Sequence, residues 1–584
     1  MNKGIDFEAP LNEQILAINK STNGPVAKYN LLYQTEKMIK ERDFKSVILA
    51  STEALSAIPK IKYNFNPERD VISTDRRALC PIIRNDVSKC LKKSKPEQPP
   101  SINQLFSELN AASKTLPAEW MVVQIAKRFD SSFIGATNKQ ITCKDTGLII
   151  TLFHYPRWEL NDKRPLAIVV PPGDNDRMYT GVFEIYEALK ENLMYNKEQD
   201  SGQNRQKYWE NLRVVEEKLT KLVEEQEKWF GTWRFLLTGY FKKTEDKAME
   251  AKIYAKVDQY CKQHKSSTEF RIIVSLLARR IDLMSHKALY EFCCHYSETD
   301  AEVKRLFLFL IDIQKSFKVK NPRESFPCML VIDEILDFLL WEMLNIDQDF
   351  CRFNSFHAMM TIYTKYASEI KNGYWMTNVK DGFAIVDPEN NLQSMRERMV
   401  EYLSYWMPKW KLVVGQAPTK ENFTELFEKD VFVYCGHGSG FQFIKDFELM
   451  QHKIKPVTFL FGCSSGRLNS KGMWGELQGS HTYYAAGLCP AVFGMLFVVT
   501  DYLTDLMSTI ILCRWLPNTD CKRTWYETFK KNWRVDTIQK LNIVQSEAEK
   551  NLCRIISDLR RETSITIRQR AAMCYRGLPV WNGN

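Results

Sequence analysis

Between Gly382 and Asp501 the chain carries the runs "GFAIVDP", "WKLVVGQAP", "DVFVYCG", "VTFLFGC" and "AVFGMLFVVTD", which are apolar at successive positions and not only at alternate ones. A strand with one wet face alternates, whereas a strand buried on both faces does not, and burial on both faces is the condition of a parallel sheet covered by helices. The stretches between the runs place apolar residues at helical spacing. This rhythm, opened by "PCMLVIDEILDFLLWEML" (Pro327 to Leu344), predicts a doubly covered, parallel α/β sheet.

In open sheets of this kind reactive groups lie beyond the carboxyl ends of the strands. Two of the runs end there in small residues around one reactive side chain: His437 in "DVFVYCGHGSG" and Cys463 in "VTFLFGCSSGRL". A thiol is a poor nucleophile until it loses its proton, and a neighbouring imidazole can take it. If the two strands are neighbours, about 4.8 Å apart, their ends meet on one edge. Gly436, Gly438 and Gly440 then let the backbone approach a peptide, and Gly462 permits a tight turn before Cys463. The N–H groups of Gly438 and Cys463 are the candidate oxyanion hole. Either residue taken singly reads as structural; the two glycine-flanked sites together read as a dyad. Cys435, His437 and Cys463 lack a fourth ligand at any recurrent spacing, so no structural metal is expected, and no cofactor is called for. His452 and His481 read as ordinary polar or packing positions, and Cys293 and Cys294 as core or local structure.

The rest of the chain sorts by pattern. Ala27 to Lys60 has the spacing of a helical hairpin, broken near Arg42 and Asp43 and stopped by Pro59. "LKKSKPEQPPS" (Leu91 to Ser101) reads as a linker. From Trp120 the runs "WMVVQIAKRF", "GLIITLFHY" and "PLAIVVPPG" predict a small sheet, interrupted from about residue 179 to 263 by long amphipathic helices. The expected division is an N-terminal helical segment and linker over 1–110, a smaller α/β unit with a helical insert over 111–315, and the parallel-sheet unit over 316–584.

The formal net charge of +10 is spread along 584 residues, without zinc-finger spacing or a recognition-helix signature, so sequence-specific nucleic-acid binding is not expected. The start "MNKGIDFEAPLNEQ" lacks a secretory signal and no apolar stretch is long enough to span a membrane, so an intracellular chain with reduced cysteines is expected.

The strings "YCGHGSG" and "FGCSSGRL", followed by "YYAAGLCPAVFGMLFVVTD", resemble the active-site signature of the separase family, caspase-clan cysteine proteases that open cohesin at anaphase. "VIDEILDFLLWE" resembles the family's Asp-containing strand leading to a Trp-Glu pair, "FAIVDPENNLQSM" its Asn-Pro-x-x-Asp-Leu element, and "CYRGLPVWNG" its closing segment. Upstream, "YWENLRVVEEKLTKLVEEQEKWFGTWRFLLTG" is similar to the helical insert before the protease domain. Leu340, Phe497 and the short "VTDYLTD" depart from the family's pattern.

The resemblance implies a caspase-like protease domain beside a substrate or pseudo-protease-like α/β domain, with Cys463 as nucleophile and His437 as base. It implies cleavage of the cohesin kleisin after Arg. A guanidinium pocket needs a carboxylate, for which Asp501 and Asp505 are the candidates. It further implies a securin-type disordered inhibitor and a cytoplasmic location with access to chromosomes and spindle in mitosis. The chain resembles the short insect-type members, which implies a separate helical scaffold subunit docking on exposed helices around residues 1–90. Two other readings stand beside this one: a catalytically silent caspase-like scaffold, and another Arg-specific protease of the same clan.

Overall fold

The computed structural model describes residues 9–18, 24–64, 100–129, 145–156, 164–173, 177–197, 202–317, 324–449, 452–471, 476–516, 533 and 549–583. Most of the expected linker, Leu91 to Ser101, lies outside them.

The strands are, in chain order, β1 (Met121–Lys127), β2 (Leu148–His154), β3 (Leu166–Val170), β4 (Cys328–Ile332), β5 (Phe350–Phe353), β6 (Ile370–Lys371), β7 (Tyr374–Thr377) and β8 (Gly382–Val386). There follow β9 (Lys411–Val414), β10 (Val431–Cys435), β11 (Val457–Leu460), β12 (Asn469–Lys471), β13 (Glu476–Gln478), β14 (Ala491–Met495), β15 (Met573–Gly577) and β16 (Val580–Asn582). Eleven of them form one sheet in the order β3-β2-β1-β4-β5-β15-β14-β11-β10-β8-β9. All the apolar runs singled out in the sequence supply strands of this sheet. β8, β10, β11 and β14 are buried along their whole length, as their unbroken hydrophobicity requires.

The sheet has a seam. β9, β8, β10, β11 and β14 run parallel to one another, and β15, β5, β4 and β1 run parallel to one another, but β14 meets β15 antiparallel. Two parallel halves of opposite direction therefore share one continuous sheet, with β2 and β3 added as an antiparallel edge. The expected break at 315/316 does not interrupt it, because β1 pairs with β4 from Met121↔Cys328 to Ile125↔Ile332.

The N-terminal hairpin is present as Gly24–Lys40 and Phe44–Asn64, turning at Arg42 with φ 58°. It differs from expectation in two ways. The second helix runs through Pro59 to Asn64. And one side of it is covered while the other stays open: Val47 to Ala57 is buried, Glu53 meets the His357 ring at 2.8 Å and Lys28 meets Asp333 at 2.6 Å, whereas Tyr33 and Phe44 are exposed. Burial alone would lower the Lys28 pKa, but the carboxylates of Asp333 and Glu334 hold it raised. The hairpin is thus packed onto the end of β4 by buried ion pairs whose separation would strand a charge.

The insert is helical, as expected: Arg177–Lys197, Gly202–Phe230 and Thr244–Gln263. No helix among the described residues is long and apolar enough to cross a membrane.

Candidate active site

β10 and β11 are hydrogen-bonded neighbours, in register from Val431↔Val457 to Tyr434↔Leu460. The ladder extends one step further, from Phe461 N–H to the Tyr434 carbonyl at 3.0 Å. Both chains then turn, and their loops press together. A Cβ on Gly462 would stand 1.9 Å from the Gly438 carbonyl oxygen and 2.5 Å from that of Gly436. Only glycine fits there, and this close approach puts the His437 and Cys463 loops on one edge of the sheet.

The His437 loop is fixed from below. Tyr434 Oη donates to the His437 carbonyl at 2.8 Å, and Gln442 Nε2 to the same oxygen at 3.2 Å. Its exposed ring meets Asn391, with Nε2 3.0 Å from Oδ1. The Oδ1 assignment makes Nε2 the donor, which leaves Nδ1 as the basic nitrogen. Asn391 comes from the loop after β8, where Asp387 at φ 50° accepts from the Asn391 and Leu392 N–H groups at 3.0 and 3.1 Å.

Cys463 is half-buried. Its Sγ lies 3.4 Å from both the carbonyl and the N–H of Val499, and the next residue, Ser464, is left-handed at φ 54°. Burial pushes the thiol pKa up and Asp501 adds to this; the Val499 N–H and the Arg568 guanidinium pull it back. The thiol and the imidazole each bond to a neighbour and not to one another. Among the described residues, the N–H groups of Gly438 and Cys463 donate to no backbone carbonyl.

Asp501 and Asp505 lie in the helix Asp501–Trp515 in different states. Asp501 is exposed in its first turn. Asp505 is buried and held by Arg398 at 2.6 Å; burial raises its pKa well above the carboxylate range even so.

Two contributors were missed from sequence. Asn391 stands at the Asp position of the Asn-Pro-x-x-Asp-Leu element, which was the available signal. The other is a buried charge network behind the Cys463 loop. Arg576 of β15 donates to Asp337 at 2.8 and 2.6 Å and to the Gly466 carbonyl at 3.1 Å, while Arg352 of β5 pairs with Glu342 and, at 3.5 Å, with Asp337. Burial would raise the Asp337 pKa, but the Arg576 and Arg352 guanidiniums hold it at about 2.

The family model for the separin protease domain matches residues 175–502, more than half of the chain and including both loops. The chain belongs to the separin family. This separin-family chain is 26% identical to separin of Mus musculus over 364 residues, 61% of its own length and 16% of the mouse protein's. It is 30% identical to separin of Emericella nidulans over 190 residues, 32% of its length and 9% of the other's, and the chain spans 16% or less of the length of these relatives. Its fold is similar to that in the crystal structure of the Saccharomyces cerevisiae separase-securin complex at 2.6 Å resolution, with TM-score 0.62 and 16% identity over 95% of this chain and 36% of that one. The caspase-like protease fold expected from the motifs is the fold of the family.

Proposed function

We propose that this chain is a cysteine endopeptidase that cuts the kleisin subunit of cohesin after Arg. The observation that carries the reading is the contact of Gly462 with the Gly436–Gly438 backbone, which sets a thiol and an imidazole at adjacent strand ends of a separin-family fold. His437 Nδ1 takes the Cys463 proton, and the thiolate attacks the scissile carbonyl carbon. Negative charge develops on the carbonyl oxygen, which the Gly438 and Cys463 N–H groups receive; one such donor is worth about 3 kcal/mol. The intermediate collapses with the imidazolium protonating the leaving amine, and water then hydrolyses the thioester with His437 as base. Asp501, open to solvent beside the thiol, is the carboxylate for the substrate guanidinium, since Asp505 is occupied by Arg398.

By the same reading, residues 111–315 carry the substrate side and 316–584 the chemistry. A securin-type segment lies along the cleft as a pseudosubstrate, a separate helical subunit supplies the scaffold, and the chain works in the cytoplasm with access to mitotic chromosomes.

The test is cleavage of a cohesin kleisin by the purified chain, free of inhibitor and with candidate scaffold chains supplied. Cutting after Arg that vanishes in Cys463→Ser and in His437→Ala is the expected result. Cutting that survives Cys463→Ser overturns the dyad, and no cutting by wild type favours the silent scaffold.

A further inference from the structure

The Cys463 thiol rests on the segment Val498–Thr500, which is gripped again from the far side. Arg568 and Gln569, in the short helix Ile567–Ala572, reach it from late in the chain. Arg568 Nη1 donates to the Val498 carbonyl at 3.3 Å, and Gln569 Nε2 to the Thr500 hydroxyl at 3.0 Å. Arg568 is 2% exposed, its Nε lacks a hydrogen-bond partner among the described residues, and the carboxylate paired with it there, Glu216 of the helical insert, stands 3.9 Å away. Withdrawing a guanidinium from water costs several kcal/mol, and a counter-ion at that separation offsets only part of it. Packing alone gives no reason for a cation here. A cation behind a thiol has a chemical consequence: it favours the thiolate.

We propose that Arg568 is a positioning residue that sets the ionisation of Cys463 through the Val498–Thr500 segment and its own charge, with Glu216 of the insert as the counter-ion that weakens it. The proposal rests on Cys463 being the nucleophile. Arg568 lies outside the matched residues 175–502. Among the described residues, the charged and titratable groups acting on the thiol are Asp501 on the helix that follows the segment, Arg568, and Tyr208 of the insert helix, with His437 on the adjoining loop. Of these, Arg568 pulls the thiol pKa down, against burial and Asp501; burial in turn lowers the pKa of Arg568, and Tyr208, Glu216 and Cys463 offset only part of that. The insert thus enters the chemistry electrically without touching the sulfur.

The test reads the thiol directly, so it does not depend on substrate. Iodoacetamide reacts with the thiolate, forming an S–C bond with loss of iodide, and the modified Cys463 peptide is counted by mass spectrometry from about pH 5 to about pH 10, a range that brackets an ordinary thiol. Expected for Arg568→Gln is an alkylation midpoint about one pH unit higher, which is about tenfold slower modification near neutrality. Arg568→Lys restores most of the rate, and Glu216→Gln moves the midpoint the other way and speeds modification by about threefold.

Opposite shifts from the two neutralising variants are not produced by loosened packing. A midpoint unmoved in both overturns the proposal; where Arg568→Gln fails to fold in a melting curve, Glu216→Gln alone decides. A chain whose midpoints shift as expected but which cuts no kleisin speaks against the kleisin reading, while the coupling of Arg568 to the Cys463 thiol stands without its catalytic meaning.

Discussion

At the scale of single residues the site depends on one close backbone contact and one orienting amide. Gly462→Ala places a methyl inside the Gly438 carbonyl, so the two loops part; an ångström of misplacement costs about a hundredfold in rate, and we expect that loss in kcat/KM with an unchanged far-UV circular dichroism spectrum. Asn391→Ala frees the His437 ring, and the expected result is a fall of about tenfold or more in kcat at little change in KM. Asn391→Asp separates orientation from charge. A carboxylate keeps an acceptor for the ring N–H, so activity near wild type is expected, and a loss as large as that of Asn391→Ala rules out the contact.

At the scale of elements, β5 and β15 are held by charge. Each carries a buried arginine, Arg352 and Arg576, and both converge on Asp337. Asp337→Asn leaves two guanidiniums short of a partner, and the expected loss is about 3 kcal/mol, read as a lowered melting temperature. The pH dependence follows in sign. The folded pKa of about 2 lies below the ordinary carboxylate value of about 3.9, so this stabilisation is complete above about pH 4 and is lost as pH falls towards 2. Melting temperature should drop across that window in the wild type and less in Asp337→Asn.

The same arginines explain what the sequence hid. β8, β10, β11 and β14 were legible because nothing charged interrupts them, and with them the shared sheet edge of His437 and Cys463, since strand ends locate both residues. β5, with the sequence "FCRF", and β15, "MCYRG", each break their apolar run with an arginine, and the carboxylate they share, Asp337, joins two strands far apart in the chain. The seam and the order of the sheet were invisible for that reason. Pro59 misled in the opposite direction, since a helix buried from Val47 to Ala57 continues past it. Asp501 and Asp505 looked equivalent because only the fold brings Arg398 to one of them.

At the scale of the whole molecule, the sheet is two parallel halves closed by one strand. β15 alone bridges β14 and β5, so a chain lacking residues from Met573 onward exposes two bare strand edges at its centre, an arrangement prone to aggregation. We expect such a chain in the insoluble fraction, while a chain with the single change Cys463→Ser stays soluble. Soluble, monodisperse truncated protein would mean that the halves are independently stable.

The position of β15 also fixes an order in time. Chains emerge from the ribosome amino end first and fold by units as they emerge, and His437 and Cys463 are synthesised well before Met573. The strand that flanks β14, the arginine that grips the Gly466 carbonyl and the arginine behind Cys463 all arrive after Cys463 itself. A nascent chain, or one broken off early, carries the thiol and the imidazole without the frame that holds their loops, so under the proposed function we expect cutting only from chains whose synthesis has passed the closing strand.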